Sequence, residues 1–304
     1  MATLQGQNFR VLIFDTTAEK FECIAMSTNC TVNYTNNTED GSHKDIVGMF
    51  GQPVVTSKSW NIQVDSLDVS NVAAMLTAIK EMLPFTLEWD EVSTSDNQTP
   101  LDDILGRSGV AYLSDVSFQF NDREFATKSL QFTGAGGVTA GISTTIKDVT
   151  ANSYTKGQFV RLFLGSDNTT EPSKVIAFAK QLSLHVSLAL EDSTTKDTTG
   201  EWQVQEPTGI SYDISTTALM RSNDTIASGA PGGQTVADLE NIYAVGTPVK
   251  FQIANVSGAN NRTKGSVIVS GSVVLTSLTL NGPNRQKADY SAQFNGYGPF
   301  TVGS

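Results

Sequence analysis

The sequence is poor in the residues on which most catalytic and metal sites depend, since its 304 residues include only two histidines and two cysteines. A metal site needs three or four converging ligands, and no Cys/His/Asp spacing in the chain offers such a set. His43 falls in a charged stretch and His185 on the polar side of an alternating stretch, and we interpret both as surface residues. Cys23 and Cys30 fall on opposite faces of one predicted strand, so they cannot form a disulfide there and are interpreted as reduced.

Motifs of nucleophilic and phosphate chemistry are missing as well. No Gly-x-Ser-x-Gly sequence supports a serine nucleophile, and the glycine-rich residues 134–137 are not followed by the Lys-Ser/Thr of a phosphate loop. The adjacent carboxylates Asp102 and Asp103 are interpreted as a solvated turn or helix face. We therefore expect no enzymatic activity and no cofactor.

Long hydrophobic runs and basic clusters are also absent. Nowhere do 18 apolar residues follow one another, and the first ten residues carry no apolar run, so we expect neither a membrane span nor a signal peptide. The net charge of −11 argues against a protein that grips nucleic-acid phosphates. The acids are unevenly spread: residues 1–145 hold 18 acids and 8 bases, whereas residues 146–304 hold 13 acids and 12 bases.

What the sequence does contain is a repeat. Residues 24–45 and 176–197 are related by an offset of 152 positions, with six of 22 residues identical. In both copies apolar residues occupy mainly the even positions and Ser, Thr, Asn or Ala mainly the odd ones. This alternation predicts a strand with one buried and one wet face. A stretch of constant length follows in each copy, residues 39–57 and 191–209, and we predict that it is a loop.

Each copy continues with a strand, one helix and two closing strands. The first helix is predicted over residues 72–83 with Ser70 or Asn71 as its cap. The second begins at a capping box formed by Thr235 and Asp238, and it stops at Gly246. The offset is 162 over the closing strands, where nine of 28 positions are identical. The remaining strands are predicted over residues 59–67, 109–120 and 124–132, and over 211–219, 271–282 and 286–294.

These elements predict a mainly β fold, a β-sandwich or half-barrel with one helix per repeat, in two tandem domains. The first repeat covers residues 1–137, a linker covers 138–156, and the second repeat covers 157–304. The second repeat also carries a polar insert at residues 221–233, which adds a net 12 residues.

The order of these features resembles the major tail tube proteins of long-tailed (siphovirus-like) bacteriophages, here with a tandem-duplicated tube domain. Each half has an opening hydrophobic strand, an alternating strand that ends in a Ser/Lys/Asp-rich stretch, a Ser-Trp or Ser-Tyr strand and one helix. The resemblance is strongest in residues 278–300, which read LTLNGPN…YSAQFNGYGPF, and a weaker version occupies residues 116–136.

The resemblance implies that the chain is a structural virion protein that conducts phage DNA during ejection. Domains of this family form six-membered rings, their sheets join into a barrel, and the rings stack into a tube. A barrel of about 24 strands, spaced about 4.8 Å and tilted about 40°, leaves a bore of about 38 Å, wide enough for duplex DNA. Because each chain supplies two domains, we expect three chains per ring, with the insert on the outside or rim.

The resemblance also implies the partners and the location. The chain would bind copies of itself, the tail terminator, the tape measure protein and the baseplate, while DNA passes without specific binding and no membrane is involved. It would be assembled in the host bacterial cytoplasm and reside in the virion tail.

Two sets of residues are the candidate sites. The two loops of constant length are predicted to contact the neighbouring ring, and surplus acids of the first half are predicted to line the lumen. The candidates for the inter-ring contact are Glu39, Asp40, Lys44, Asp45, Glu191, Asp192, Lys196 and Asp197. The candidates for the lumen are Asp65, Asp68 and Asp115.

Other interpretations fit the same pattern. The inner tube of a contractile injection or type VI-like system shares this architecture, and another virion β-protein, such as a decoration or fibre protein, would have a similar composition. An enzyme or carbohydrate-binding β-sandwich would need a cleft with converging carboxylates or aromatic residues, which neither half shows.

Overall fold

The structure is a computed structural model, and it describes residues 6–15, 20–43, 51–69, 72–92, 106–142, 154–198, 200–220, 233–257 and 262–303. The fold is mainly β with one α-helix in each half, which confirms the predicted fold class. Short 3-10 helices at Gly6–Asn8 and Gly157–Phe159 precede the opening strand of each half.

The first half contains seven strands and helix α1 in the following order. They are β1 (Phe9–Asp15), β2 (Lys20–Cys23), β3 (Ser27–Asp40), β4 (Pro53–Ser66), α1 (Val72–Lys80), β5 (Pro84–Glu91), β6 (Arg107–Asn121) and β7 (Thr127–Ala140).

The second half repeats this order and adds two short strands, β12 and β16. Its elements are β8 (Val160–Leu164), β9 (Lys174–Ile176), β10 (Ala179–Asp192), β11 (Gln205–Leu219), β12 (Gly233–Gln234), α2 (Val236–Val245), β13 (Val249–Ser257), β14 (Thr263–Asn281), β15 (Asp289–Gly296) and β16 (Thr301–Val302).

A row of eight antiparallel strands forms the centre of the molecule, in the order β3-β4-β7-β6-β10-β11-β15-β14. We call this row the central sheet. Four of its strands come from each half, and β6 and β10 join the two sets. The amino-terminal parts of β6 and β14 lead away from this row to β5-β1-β2 and to β13-β8-β9-β12 respectively.

The two halves have the same register in the central sheet. Ile62 lies opposite Val32 and Phe132, and Ile214, at the offset of 152, lies opposite Leu184 and Phe294. The register shifts of the two closing hairpins also correspond, since one lies between Leu113 and Asp115 and the other between Leu275 and Ser277. Left-handed residues occupy matching turns too, namely Met26 and Phe178, and Arg123 and Arg285.

One face of the central sheet packs on the core because its side chains alternate in polarity. The aromatic anchors are Trp60 and Tyr212, which lie at the offset of 152. Each ring lies flat on a glycine of the neighbouring strands: a Cβ at Gly134 would lie 2.3 Å from Trp60 Nε1, and one at Gly296 would lie 2.5 Å from Tyr212 Cε1. Glycine is needed at both places because the aromatic ring occupies the space of a side chain.

Helix α1 lies on the core face where the two halves meet, in contact with both β6 and β10. It buries Val72, Met75, Leu76 and Ile79, and it ends at Lys80 and not at residue 83 as predicted. Helix α2 has the predicted capping box between Thr235 and Asp238 and ends at the left-handed Gly246. The predicted cap of α1, Ser70 or Asn71, lies outside the described residues.

Several sequence predictions are wrong about where strands begin and end. The predicted loops of residues 39–57 and 191–209 are shorter in the structure, because the β3–β4 and β10–β11 hairpins remain paired as far as Asp40–Pro53 and Asp192–Gln205. These arms are polar, and backbone pairing holds them without an apolar face. The strands after each helix, β5 and β13, were not predicted at all.

Two more predictions need correction. Cys23 and Cys30 are not on one strand, since a turn with Met26 at φ 50° separates β2 from β3; neither forms a disulfide. The predicted linker begins too early, because β7 continues to Ala140. Of the predicted insert, residues 221–232 lie outside the described residues, whereas Gly233 belongs to β12.

Candidate functional site

The face of the central sheet that points away from the core is polar along its whole width. Its odd-numbered positions carry Asn, Ser, Thr, Gln and Asp and the single imidazole of His185. The side chains that define this polar face are Asn29, Thr31, Asn33, Asn61, Gln63, Asp65, Asp115, Ser117, Ser129, Gln131, Ser183, His185, Ser187, Ser211, Asp213, Ser215, Gln293 and Thr279.

A charged trio lies on the polar face where the two halves of the chain meet. His185 Nε2 lies 2.5 Å from an Asp115 carboxylate oxygen, and His185 Nδ1 lies 2.7 Å from an Asp213 carboxylate oxygen. Each ring nitrogen faces a carboxylate oxygen that can accept a hydrogen bond, an arrangement that favours the doubly protonated imidazolium. The two aspartates approach opposite sides of the ring, and the trio carries a net charge of −1.

The protonation of His185 follows from two opposing effects. Partial burial disfavours the charged form, but the hydrogen bonds and charges of Asp213 and Asp115 outweigh it, so the pKa of His185 is raised above its ordinary value. About 38% of the side chain is exposed, so water screens the trio. This contact staples β6, β10 and β11 together across the boundary between the halves.

The same place in the first half is neutral. Asn33 stands 152 positions before His185 and Asn61 stands 152 before Asp213, and the Asn33 amide Nδ2 donates to Asn61 Oδ1 at 3.0 Å. Ser277, 162 positions after Asp115, lies on β14 at the far edge of the central sheet. The matching positions are therefore split between the two outer edges of the sheet.

Two of the three lumen candidates lie on the polar face. Asp65 accepts hydrogen bonds from Ser129 Oγ at 2.7 Å and from Asn29 Nδ2 at 3.2 Å, and Asp115 belongs to the trio. Asp68 is a wrong prediction, because it is 1% exposed and lies on the core side. Its charge acts on the equally buried Lys128, whose pKa is lowered by burial and partly restored by Asp68.

The outer edges of the central sheet expose apolar side chains that the internal boundary buries. Where β6 meets β10, Phe118 and Val186 are 0% and 1% exposed. Their counterparts are Leu280 on β14, which is 42% exposed, and Tyr34 on β3, which is 53% exposed. Among the described strands, neither β3 nor the stretch of β14 that carries Leu280 has a partner on its outer side.

The predicted inter-ring residues fall at the tips of the two long hairpins. Glu39 and Asp40 are the last residues of β3, and Glu191 and Asp192 are the last of β10; all four are exposed, as are Lys196 and Asp197. Lys44 and Asp45 lie outside the described residues.

Both tips begin with the same turn. Asp40 accepts from the backbone N–H and hydroxyl of Ser42, and these hydrogen bonds lower the pKa of Asp40. Asp192 accepts in the same way from Thr194, and the Ser42 and Thr194 hydroxyls accept from the backbone N–H groups of Gln52 and Val204 at 3.2 and 3.0 Å. The carboxylates therefore shape the hairpin tips.

The tip of the second hairpin, which we call the β10–β11 connection (residues 193–204), lies on the first half of the chain. The backbone N–H of Lys58 donates to Glu201 O at 2.6 Å, the N–H of Gln203 donates to Lys58 O at 2.9 Å, and Lys58 Nζ forms a 2.5 Å salt bridge with Glu201. Between these bonds Trp202 packs against Gly137, where a Cβ would lie 2.9 Å from Trp202 Cδ1.

Sequence reasoning missed both the trio and this docked connection. The partners of His185 are 28 and 70 residues away in the chain, and only the strand register brings them together. For one of these pairs the sequence does carry evidence, because the repeat aligns His185 and Asp213 with two asparagines of the first half.

The decisive comparison is with protein families. Residues 157–302 match the family model described as the phage tail tube protein. The second half of the chain is therefore a phage tail tube domain. None of the curated proteins matches the sequence. The opening strand, the polar face and the free β14 edge of the second half thus all lie within the matched tail tube region.

Solved structures similar to this tail tube protein include three tails or virions. The tail of an empty gene transfer agent particle with C6 symmetry is 19% identical, with 48% of this chain and 95% of that chain covered and a TM-score of 0.35. The virion of a native gene transfer agent particle is 19% identical, with 49% and 99% covered and a TM-score of 0.37. The SPP1 tail tube is 15% identical, with 49% and 78% covered and a TM-score of 0.36.

The tail tube protein shows no metal centre within its described residues, since no group of three or more His, Cys, Asp or Glu side chains there is arranged to hold an ion. None of the helices in the described ranges is long and apolar enough to cross a membrane. The family is a structural one, and the role of this chain is structural.

Proposed function

We propose that three copies of this tail tube protein close one ring of a phage tail tube, each copy supplying two tandem tube domains. The first domain ends with β7 at Ala140, the second covers residues 157–304, and the residues between them join the two. The shared register and the matching turns of the two halves support the duplication. The alternatives, an inner tube of a contractile system or another virion β-protein, are not favoured by the family match.

The observation that carries this proposal is the β6–β10 boundary. It is a lateral contact between two tube domains that is made inside one chain, and its two counterpart edges, β14 and β3, are both open in the described part of the chain. Repeating the boundary between chains would pair β14 of one copy with β3 of the next. Eight strands from each of three copies then give about 24 strands, a barrel wide enough for duplex DNA.

The internal boundary also predicts the register between chains. Leu184 lies opposite Phe118 and Val186 opposite Val116, so Val32 should lie opposite Leu280 of the neighbour, and Tyr34 opposite Leu278. Each of these side chains would lose its exposed apolar surface, worth about 25 cal/mol per Å² removed from water. Closing the ring would also remove the open strand edges that otherwise invite uncontrolled pairing.

In this ring the polar face lines the lumen. Its ionised groups are mostly carboxylates, with Asp65, Asp115 and Asp213 near the middle of the sheet, so duplex DNA passes without being held by its phosphates. Rings stack through the hairpin tips that carry Glu39, Asp40, Glu191 and Asp192. The tail terminator, the tape measure protein and the baseplate are the further partners, the virion tail is the final location, and assembly occurs in the host cytoplasm.

Disulfide trapping at the predicted register tests this proposal. A Val32→Cys, Leu280→Cys variant should give a covalent, closed trimer after mild oxidation, and each single variant should stay uncross-linked. Denaturing gel electrophoresis and mass spectrometry read the product, and image symmetry analysis of the rings counts the chains. Rings of six chains, or an intrachain cross-link, would disprove the three-chain ring.

A further inference from the structure

The first half of the chain has a docking site that is filled, and the second half has the corresponding site open. The filled site is the edge of β4 at Lys58, where the β10–β11 connection binds and Trp202 packs on Gly137. The open site is a cavity of about 640 Å³ lined by Ile210, Tyr212, Gly296, Gly298, Pro299 and Phe300, together with Lys80, Ser211, Asp213 and Asn295.

The two sites correspond residue by residue. Ile210 stands 152 positions after Lys58, and Pro299 stands 162 positions after Gly137. Tyr212 and Gly296, which form one wall of the cavity, correspond to Trp60 and Gly134. The cavity therefore lies where the second half would receive a segment equivalent to Glu201–Gln203.

The first half contains such a segment in its own β3–β4 connection, residues 41–52. Its flanks have the same hydrogen bonds as those of the β10–β11 connection: Gly41 N–H donates to Gln52 O at 2.9 Å, and Ser193 N–H donates to Val204 O at 2.8 Å. Because the two connections have equal length, the position equivalent to Trp202 is Phe50. Residue 50 lies outside the described residues, and it enters here through the sequence correspondence alone.

The residues on the two sides of the contact have changed together. The salt bridge between Lys58 and Glu201 has as its counterpart Ile210 and Met49, a pair of apolar residues. The hydrogen bond from Gln203 Nε2 to Ser57 Oγ, 3.4 Å long, has as its counterpart two glycines, Gly51 and Gly209. An aromatic residue is kept at the centre in both cases. Such matched exchanges are expected where the two members of each pair touch.

We propose that the open cavity of each copy is filled by the β3–β4 connection of the neighbouring copy, with Phe50 inserted between Tyr212, Pro299 and Phe300. This inference rests on the ring of the proposed function, because the β3–β4 connection crosses the β14–β3 boundary just as the β10–β11 connection crosses the β6–β10 boundary. The cavity is a lateral clasp between chains of one ring. It differs from the predicted role of these tips in ring stacking, since the inner part of each tip is engaged within the ring.

A pair of cross-links separates this inference from the ring itself. Val32→Cys with Leu280→Cys reports the strand junction, and Phe50→Cys with Pro299→Cys reports the cavity. We expect interchain disulfides from both pairs. The matched control, His43→Cys with Pro299→Cys, places the thiol at the opposite end of the same connection and should not cross-link.

Each other outcome has a definite meaning. If the junction pair cross-links between chains and the cavity pair does not, the clasp is wrong and the ring stands. If neither pair cross-links between chains, both proposals fail. If the cavity pair closes within a single chain, the connection docks on its own copy and the proposed clasp is wrong.

The energetic contribution of Phe50 gives a second test. Phe50→Ala should weaken ring formation at least roughly tenfold, as expected for a central aromatic anchor, with the folding of the monomer unchanged by circular dichroism. Phe50→Trp, which introduces the residue of the second half, should keep rings at wild-type concentration. An unchanged ring population for Phe50→Ala in mass photometry would overturn the clasp.

Discussion

The two halves of this tail tube protein have the same backbone register and different chemistry at equivalent positions. The internal boundary carries the titratable side chains of Asp115, His185 and Asp213, whereas the equivalent positions at the two free edges, Ser277 and Asn33 with Asn61, are neutral. The backbone tolerates few changes because a slip of one residue would turn every side chain to the wrong face. Side chains are freer to change, provided that both members of a contact change together.

The core shows the same contrast. Asp68 and Lys128 are buried near one another in the first half, and their counterparts in the second half are Met220 and Tyr290. A buried charge pair and an apolar pair thus occupy equivalent places in two versions of one fold. The second half therefore serves as an internal control for experiments on the buried charges of the first half.

The largest effect is expected from breaking the buried charge pair. Lys128→Met removes the buried ammonium whose charge interacts with that of Asp68, and it should lower the free energy of unfolding by about 3–5 kcal/mol, because removing one member of a buried charge pair is strongly destabilising. Chemical denaturation of the full chain measures this.

The matched control introduces the pair of the second half. Asp68→Met with Lys128→Tyr should recover most of the lost stability, since no charge remains in the core. A double variant as unstable as Lys128→Met would show that the two halves differ in packing and not in charge alone.

A smaller effect is expected at the charged trio. His185→Asn leaves Asp115 and Asp213 close together without a cation between them, and we expect a loss of about 1 kcal/mol, since a partly exposed ionic hydrogen bond contributes less than a buried one. Adding Asp213→Asn and Asp115→Ser converts the boundary to the neutral set of the free edges and should restore stability. If His185→Asn were as stable as the native chain in the same denaturation assay, the trio would not staple the halves.

The smallest effect is a dependence on pH. The folded-state pKa of His185 is raised, so its contribution to stability is fully present below the ordinary histidine value of about 6.5 and is lost as the pH rises through the raised value. The difference in unfolding free energy between the native chain and the neutral triple variant should therefore shrink as the pH increases from 6 upwards. A difference that stayed constant across this range would mean that His185 does not titrate in the folded chain as proposed.

Much of the central sheet could be predicted because strand alternation and a constant offset are local properties of the sequence. The alternation in β4 also indicates where Asp68 lies. Trp60, Ile62 and Val64 are even-numbered and point inward, and Asp68 is even-numbered as well. The ends of the polar hairpin arms could not be predicted in this way. Backbone hydrogen bonds hold these arms together, and such bonds do not require an alternation of polar and apolar side chains.

The contacts between distant segments were harder to foresee. Trp202 has no local feature that distinguishes a docked tryptophan from any other, and its site on Lys58 and Gly137 is built from two other strands. The offset of 152 identifies Phe50 as its counterpart, but the sequence does not show what Trp202 contacts.

The β6–β10 boundary also changes the molecularity of assembly. A ring of six separate domains requires five successive encounters, and a ring of three linked pairs requires two. Each encounter costs on the order of 4–15 kcal/mol in translational and rotational freedom, so linkage would remove three such costs from the proposed three-chain ring. In that ring the two kinds of half would alternate around the circumference, because each first half is joined to a second half and β14 of one copy pairs with β3 of the next.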